Sequence, residues 1–571
     1  PNGPITTRIA DELYDELLRE STETDWTTQP MESFAALVGT PPGAYERWFD
    51  VAFHRGNREK AFDISEKARR ARFFAALPLG ESRLMAFRML FEGNEGTMPP
   101  DVLLQRQTLA LEFPEFSGLS ENVRNIKRQL LAIPIVPQNP EQVTAQRTLL
   151  AELEQHSAAQ ESMLRVMALS RTGVPPLFPP TMPLEQIRRE LPENTAMLIY
   201  FESLGNLYGF LIDRNSLVPW VVRAAAPRDR SLHELISTYL RDLGNTGPSQ
   251  TVGTRELENP QGNWRESGNR LLWRLLGNEA RPTNFSELII VPTGLLWYVP
   301  FEAMSVDVGG QYRPLLTAGQ TPLVIRYAPM ASLGVPSRQL GRRVNAETLV
   351  VSGKLMSRDS ADVSLEAVNR LTRSGIRNLA VMQTDERTSP LPASASAFAS
   401  QIQQLVVLDD IPLSPPLAWT PFSHDRARAR NPVATWQTLP WGGPSLVVLP
   451  AFHTPAESAL RNVVANGDDL FLSAMLLQAC GARTILISRW RTGGRVSYDL
   501  TEQFLLRLAE RPAAMAWRQA IMEVGSNPLN LDEEPRVRKD TRDPDAQPPI
   551  ANHPFFWGAF MLIDRGESME P

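Results

Sequence analysis

Apolar positions in the first 95 residues recur at helical spacing. After Thr6-Thr7, Ile9, Leu13 and Leu17 fall four apart, with Tyr14 and Leu18 beside them, and predict an amphipathic helix. A pair of helices follows, Tyr45–His54 and Glu59–Leu77, broken at Gly56-Asn57. Residues 96–174 stay helical between breaks at Pro114, Pro134, Pro137 and Pro140. The last stretch, Glu141–Leu169, carries Leu149, Leu150, Leu153, Met163, Leu164 and Val166, a stripe suited to a long hairpin, a coiled coil or plain core. The proline-rich run Gly173–Pro180 marks a boundary.

After it the period changes. Ala196–Ser203, Leu207–Ile212 and Leu217–Val222 are β-like runs joined by Leu204-Gly205-Asn206 and Asp213-Arg214-Asn215, the signature of an antiparallel meander. Helical patterns at Leu232–Leu243 and Trp264–Leu276 come next. From Phe285 short apolar runs recur at Leu288–Val291, Leu349–Val351, Leu405–Leu408, Leu446–Leu449 and Thr484–Ser488, with helical patterns at Ser364–Arg373, Leu470–Ala479 and Leu500–Ala509. Buried strands alternating with helices predict a mostly parallel sheet flanked by helices. Ser526–Asn552 is polar and without period, which predicts an exposed or disordered loop, and Ala559–Ile563 reads as a final strand. The chain thus divides into a helical region 1–95, a long helical hairpin or linker 96–183, a meander with helices 184–284 and an α/β core 285–571.

Composition narrows the function classes. A chain of 571 residues exceeds what one core can bury, so two to four domains are expected. A formal charge of −6 and a pI near 5.8 speak against nucleic acid as a partner, since that would require a basic face. Lysine occurs only at 60, 67, 127, 354 and 539, and the arginine excess reads as GC-rich codon usage. Cys480 is the single cysteine, so no intrachain disulfide and no thiolate metal cluster can form, and a cytoplasmic location is the default expectation. No run approaches 18 apolar residues, so no membrane span is expected. The chain opens on Pro1 with neither initiator methionine nor signal peptide, as a trimmed chain or part of a longer protein would. No phosphate-binding glycine loop and no His-Glu-x-x-His zinc motif occur, Gly442-Gly443 and Gly493-Gly494 read as turns, and neither cofactor nor metal is expected.

Several blocks resemble the CHAT family, the caspase-like domain associated with tetratricopeptide repeats. L-I-I-V-P-T-G-L-L-W-Y-V-P-F-E-A-M, Leu288–Met304, is similar to its opening signature. R-Y-A-P-M-A-S-L (Arg326–Leu333), Asn466–Trp490 with its A-C-G-A-R-T strand entry, M-A-W-R-Q-A (Met515–Ala520) and H-P-F-F-W-G-A-F (His553–Phe560) follow in the family's order. Leu184–Phe201 is similar to the segment that commonly precedes the domain. The resemblance covers about residues 184–571 well and 40–183 loosely. It implies a caspase-like α/β fold in which 184–284 is the domain's N-terminal part and 285–571 its core, preceded by an α-helical, tetratricopeptide-like region. In that region Gly56, Ala61 and Ala68 take the small-residue spacing of such a repeat, with Trp48 and Phe49 on the inner face of the first helix, although any helical hairpin would fit.

Active members resemble cysteine peptidases. A histidine at one strand end takes the proton of a cysteine at the next, and the thiolate attacks a peptide carbonyl. The cysteine's pattern, Leu-Ser-Ala-Cys-x-Thr, falls on Leu449–Thr454 and puts Phe452 at the nucleophile's position. The histidine's pattern falls on Leu405–Asp410 and puts Asp409 or Asp410 at the base's position, without the glycine whose N–H helps bind an oxyanion. No catalytic residue is therefore expected. Cys480 reads as a small buried thiol, and His424, within the proline-rich loop Pro412–Pro444, as solvent-exposed. Beyond Ser488, Arg489, Arg491 and Arg495 stand where the family often has an acid, either as solvated charge or as a surface for an acidic partner. The expectation is an inactive pseudo-peptidase that binds protein partners through its helical region, oligomeric state left open. Two rivals remain: a hydrolase built on His453 with Asp409 or Asp410, and a structural subunit whose tryptophan-rich faces are interfaces.

Overall fold

The computed structural model describes residues 4–78, 80–93, 95–174, 177–222, 230–247, 251–259, 262–277, 281–319, 322–336, 347–376, 378–383, 402–411, 443–461, 465–539 and 548–566. Nine helices come first: α1 (Pro4–Leu17), α2 (Glu23–Thr28), α3 (Pro30–Gly39), α4 (Pro42–His54), α5 (Arg58–Ala76), α6 (Glu81–Glu92), α7 (Pro100–Glu112), α8 (Pro114–Leu130) and α9 (Pro140–Ala168). Prolines at the first position of α3, α4, α7, α8 and α9 start helices, because the N–H they lack has no partner in a first turn. Between α4 and α5, Gly56 takes φ +79°, the left-handed turn the predicted break requires, and the Asn57 side chain caps α5 by accepting from Lys60 N.

The apolar stripe of α1 lies the opposite way from the usual arrangement, in which such a stripe faces a core. Ile9, Leu13 and Leu17 are exposed, whereas Asp11 is buried. The Asp11 carboxylate accepts from Trp48 Nε1 at 2.9 Å and pairs with Lys60 and Arg55, so charge pairing sets the rotation of the helix.

One eleven-stranded sheet runs through the rest of the molecule. Its strands are β1 (Thr195–Ser203), β2 (Asn206–Ile212), β3 (Leu217–Val221), β4 (Glu287–Val291), β5 (Val324–Tyr327), β6 (Thr348–Ser352), β7 (Leu379–Gln383), β8 (Gln404–Leu408), β9 (Leu446–Leu449), β10 (Thr484–Ser488) and β11 (Phe560–Asp564), in the spatial order β7-β6-β8-β9-β10-β11-β5-β4-β1-β2-β3. The first five in that order are parallel to one another, as are β11, β5, β4 and β1. The two sets meet antiparallel at β10–β11, with Thr484 opposite Asp564, and the expected meander closes the far edge. Longer helices between strands are α10 (Leu184–Glu190), α11 (Leu232–Asp242), α12 (Asn263–Leu276), α13 (Ala361–Arg373), α14 (Asp468–Ala479), α15 (Arg495–Leu508) and α16 (Ala513–Gly525). This is the expected α/β class, a mostly parallel sheet flanked by helices behind a helical region.

The helical region is packed on the sheet. Phe49 and Phe53 of α4 stack against Phe201, Tyr208 and Phe210. Arg69 of α5, fully buried, donates to the carbonyls of Tyr200 and Pro292, and Glu66 accepts from Ser332 N at 3.0 Å. One expectation holds only in part. The described part of Ser526–Asn552 is structured: Leu529, Glu534 and Arg536 are buried, and Val537-Arg538 pairs with Val252-Gly253. Its polar residues bond inward, Glu534 accepting from Val496 N and Arg536 donating to Arg491 O, so low hydrophobicity there does not mean exposure. Among the described residues no helix is long and apolar enough to cross a membrane.

Candidate functional site

In chain order β6 is followed by β7 on one side and then by β8 on the other, so the strand order reverses between β6 and β8. Open α/β sheets leave a crevice at the carboxyl ends beside such a reversal. The residues leaving β6, β8, β9 and β10 there are Gly353-Lys354, Asp409-Asp410, Pro450–Thr454 and Arg489–Thr492.

Asp409 is buried and turned toward β6. Its Oδ1 accepts from Asp410 N at 2.9 Å, and a Cβ at Gly353 would stand 2.4 Å from the carboxyl, so only glycine lets the two strand ends lie this close. Phe452 has no exposed surface; its ring is part of the core. Its N–H donates to Ser488 Oγ at 2.7 Å, and that hydroxyl donates back to Phe452 O at 3.1 Å. The backbone at Phe452 is thus pinned to β10, and the side chain is part of the core.

His453, the next residue, points to the crevice. Its Nε2 meets Asp410 Oδ1, and Nδ1 lies 3.7 Å from Glu457 Oε1. Arg491 closes the group, with Nη1 3.8 Å from Asp410 Oδ2 and its N–H donating to Glu457 Oε1 at 2.9 Å. Of the residues singled out in sequence, the structure therefore joins His453 to Asp410 and leaves Asp409 outside the pair. The neighbouring hydroxyls are all engaged by backbone: Thr454 donates to Arg489 O, Thr492 to Pro450 O, and Ser488 to Phe452 O.

Cys480 lies at the opposite, amino-terminal ends of the strands. It precedes β10, and its carbonyl accepts from Gly443 N at 2.8 Å ahead of β9. Burial pushes the thiol up to about 12, the reverse of what an attacking thiolate needs. His424 lies outside the described residues, as does most of the loop containing it. No group of histidine, cysteine and carboxylate side chains that could hold a metal occurs among the described residues.

The arginines after β10 correct the sequence reading. Arg489 is neither solvated nor part of a surface. Fully buried, it pairs with Glu302 at 2.9 Å, donates to the carbonyls of Gly558 and Phe560, and stands 4.8 Å over the Tyr327 ring. Tyr327 also hydrogen-bonds Glu302. Sequence reasoning missed this buried ion pair, although a lone carboxylate inside the apolar run Val299–Met304 was the available signal. Arg495 is half-exposed and shared among Glu366, Asp499 and Glu533. Of the described tryptophans only Trp273 is exposed, so tryptophan-rich faces are not found among the described residues.

Residues 432–565 match the CHAT domain family, which spans the strand ends just described apart from β6 and β8. No curated protein matches the chain. Among solved structures, two crystal structures of the separase–securin complex of Saccharomyces cerevisiae are similar to it. One has a TM-score of 0.37 at 9% identity, over 98% of this chain and 48% of that one; the other has 0.34 at 9%, over 99% and 52%. The chain spans about half the length of the separase chains it matches.

Proposed function

We propose that the chain is a catalytically inactive, caspase-like CHAT module that works through protein–protein contacts, with the helical region 1–183 contributing the binding surface. The observation that carries this reading is the burial of Phe452. A phenyl ring offers no lone pair for attack and no proton for a base to take. Putting a thiol or hydroxyl near His453 would need either a different residue at 452 or the release of a hydroxyl now bonded to backbone. Asp410, which with Asp409 is one of the two residues expected at the base's position, is itself paired to His453.

That same pair favours the second reading, a hydrolase in which His453, oriented by Asp410, activates water. Turnover of a panel of fluorogenic peptides by the full chain separates the two. The pseudo-peptidase reading expects none above buffer for the wild type, and none for Phe452→Cys, because the restored thiol lacks the family's base. Wild-type turnover that His453→Ala abolishes would overturn it.

A further inference from the structure

Away from the strand ends, a recess lies in the helical region. About 790 Å³ of empty space, open solvent at the mouth included, lies between the end of α1, α2, α3, the start of α4, α5 and α6, with Val174 beside it. Ligand sites are ordinarily mostly apolar and carry a few convergent polar groups. Here the apolar wall is Trp26, Leu37 and Phe74, with Leu17 exposed at the rim.

The polar lining is one-sided: four cationic side chains, Arg19, Lys67, Arg70 and Arg83, against the single carboxylate of Glu20. Three of the cations are already occupied. Arg70 pairs with Glu20 and Arg19 with Asp25, while Arg83 donates to the carbonyls of Ala168, Ser170 and Thr172 and stacks 3.8 Å over Trp26. Lys67 differs. Among the described residues it has no ion pair within 4 Å; its charge acts on the Asp63 carboxyl one turn earlier, and its ammonium stands 5.5 Å over the Trp48 ring. Six helices wall the recess, whereas a peptide groove runs along one or two, and this favours a small occupant over a chain segment.

We propose that this cleft binds a small amphipathic carboxylate, its apolar chain against Trp26, Leu37 and Phe74 and its carboxylate on Lys67. Such a ligand supplies the missing negative charge and displaces water from an apolar wall, a combination neither a neutral lipid nor a bare anion provides. The site is separate from the strand-end cluster and does not depend on whether that cluster is catalytic.

Calorimetric titration of the full chain with octanoate, octanol and acetate tests it. Octanoate is expected to bind saturably at one site, octanol more weakly and acetate not at all. Lys67→Met, which keeps the apolar stem, should weaken octanoate by about tenfold and leave octanol unchanged. Ala71→Phe, which fills the recess, should remove both ligands, and circular dichroism confirms that each variant is folded. Absence of saturable octanoate binding to the wild type, or binding that neither variant changes, overturns the proposal.

Discussion

The ring of Phe452 is fully enclosed at the end of β9, and its backbone is clamped to Ser488 on β10. Removing the ring should act as a core truncation: Phe452→Ala is expected to cost about 3–5 kcal/mol, read as a lowered urea midpoint at unchanged slope. A stability loss under about 1 kcal/mol would mean that the ring is not packed as described. Asp469, at the start of α14, is a second residue with a measurable signature. Its Oδ1 accepts from Tyr298 OH at 2.8 Å while Oδ2 has no partner, and burial raises the carboxyl from 3.8 to about 6. A carboxyl whose folded value lies above its unfolded one is bound to its proton more tightly in the fold. Its ionisation therefore destabilises the fold fully above pH 6, by at most about 3 kcal/mol, and the effect fades as pH falls toward 4. Asp469→Asn keeps the acceptor and cannot ionise. Net of the new amide donor, it should stabilise by about 1–2 kcal/mol at pH 7.5 and by nothing at pH 4, in paired denaturant titrations against wild type. A gain independent of pH would refute the assignment.

At the scale of elements, charge decides what apolar pattern alone could not. The stripe Ile9, Leu13 and Leu17 was legible as a helix, but the direction it faces was not, because Asp11 bonded to Trp48, Lys60 and Arg55 turns that stripe to solvent. The segment Pro300–Ala303 likewise reads as apolar, yet it carries Glu302 to the end of β10, where Arg489 ties it to the carbonyls flanking β11. Arg489→Met strips the partner from a buried carboxylate and should destabilise by about 3–5 kcal/mol. Combining it with Glu302→Gln should recover a good part of that loss, whereas additive losses in the thermal midpoints would show that the two side chains do not act as a pair. The strands themselves were readable, β4, β6, β8, β9 and β10 each being a short continuous apolar run. β7 was not read as a strand; it is the edge strand, paired to β6 alone and half-buried over Leu379–Val381.

Across the whole molecule, the helical region and the sheet share one interior. Phe49 and Phe53 cover Phe201, Tyr208 and Phe210, and Arg69 bonds to carbonyls 131 and 223 residues away in sequence. Residues 184–571 expressed alone would expose that aromatic face of β1 and β2. They are expected to aggregate or to bind a hydrophobic dye strongly, while the full chain does neither. A monomeric, dye-free 184–571 fragment with a cooperative melt would show that the two regions are independent.

The amino-acid sequence by itself determined the alternation of helices and strands and the CHAT likeness, because these are local properties of residue type and spacing. It left three things to the tertiary structure. Which of the two aspartates meets His453 depends on how β8 turns beyond Leu408, set by Gly353 on a neighbouring strand. That Arg489 is an interior ion pair depends on a glutamate 187 residues earlier. Glu534, Arg536 and Val537, in the polar run after Ser526, are buried because the partners of that run, Val496 and Val252 among them, come from elsewhere in the chain. Each is a long-range pairing of polar groups, and no local pattern of apolar residues records where such a partner will be.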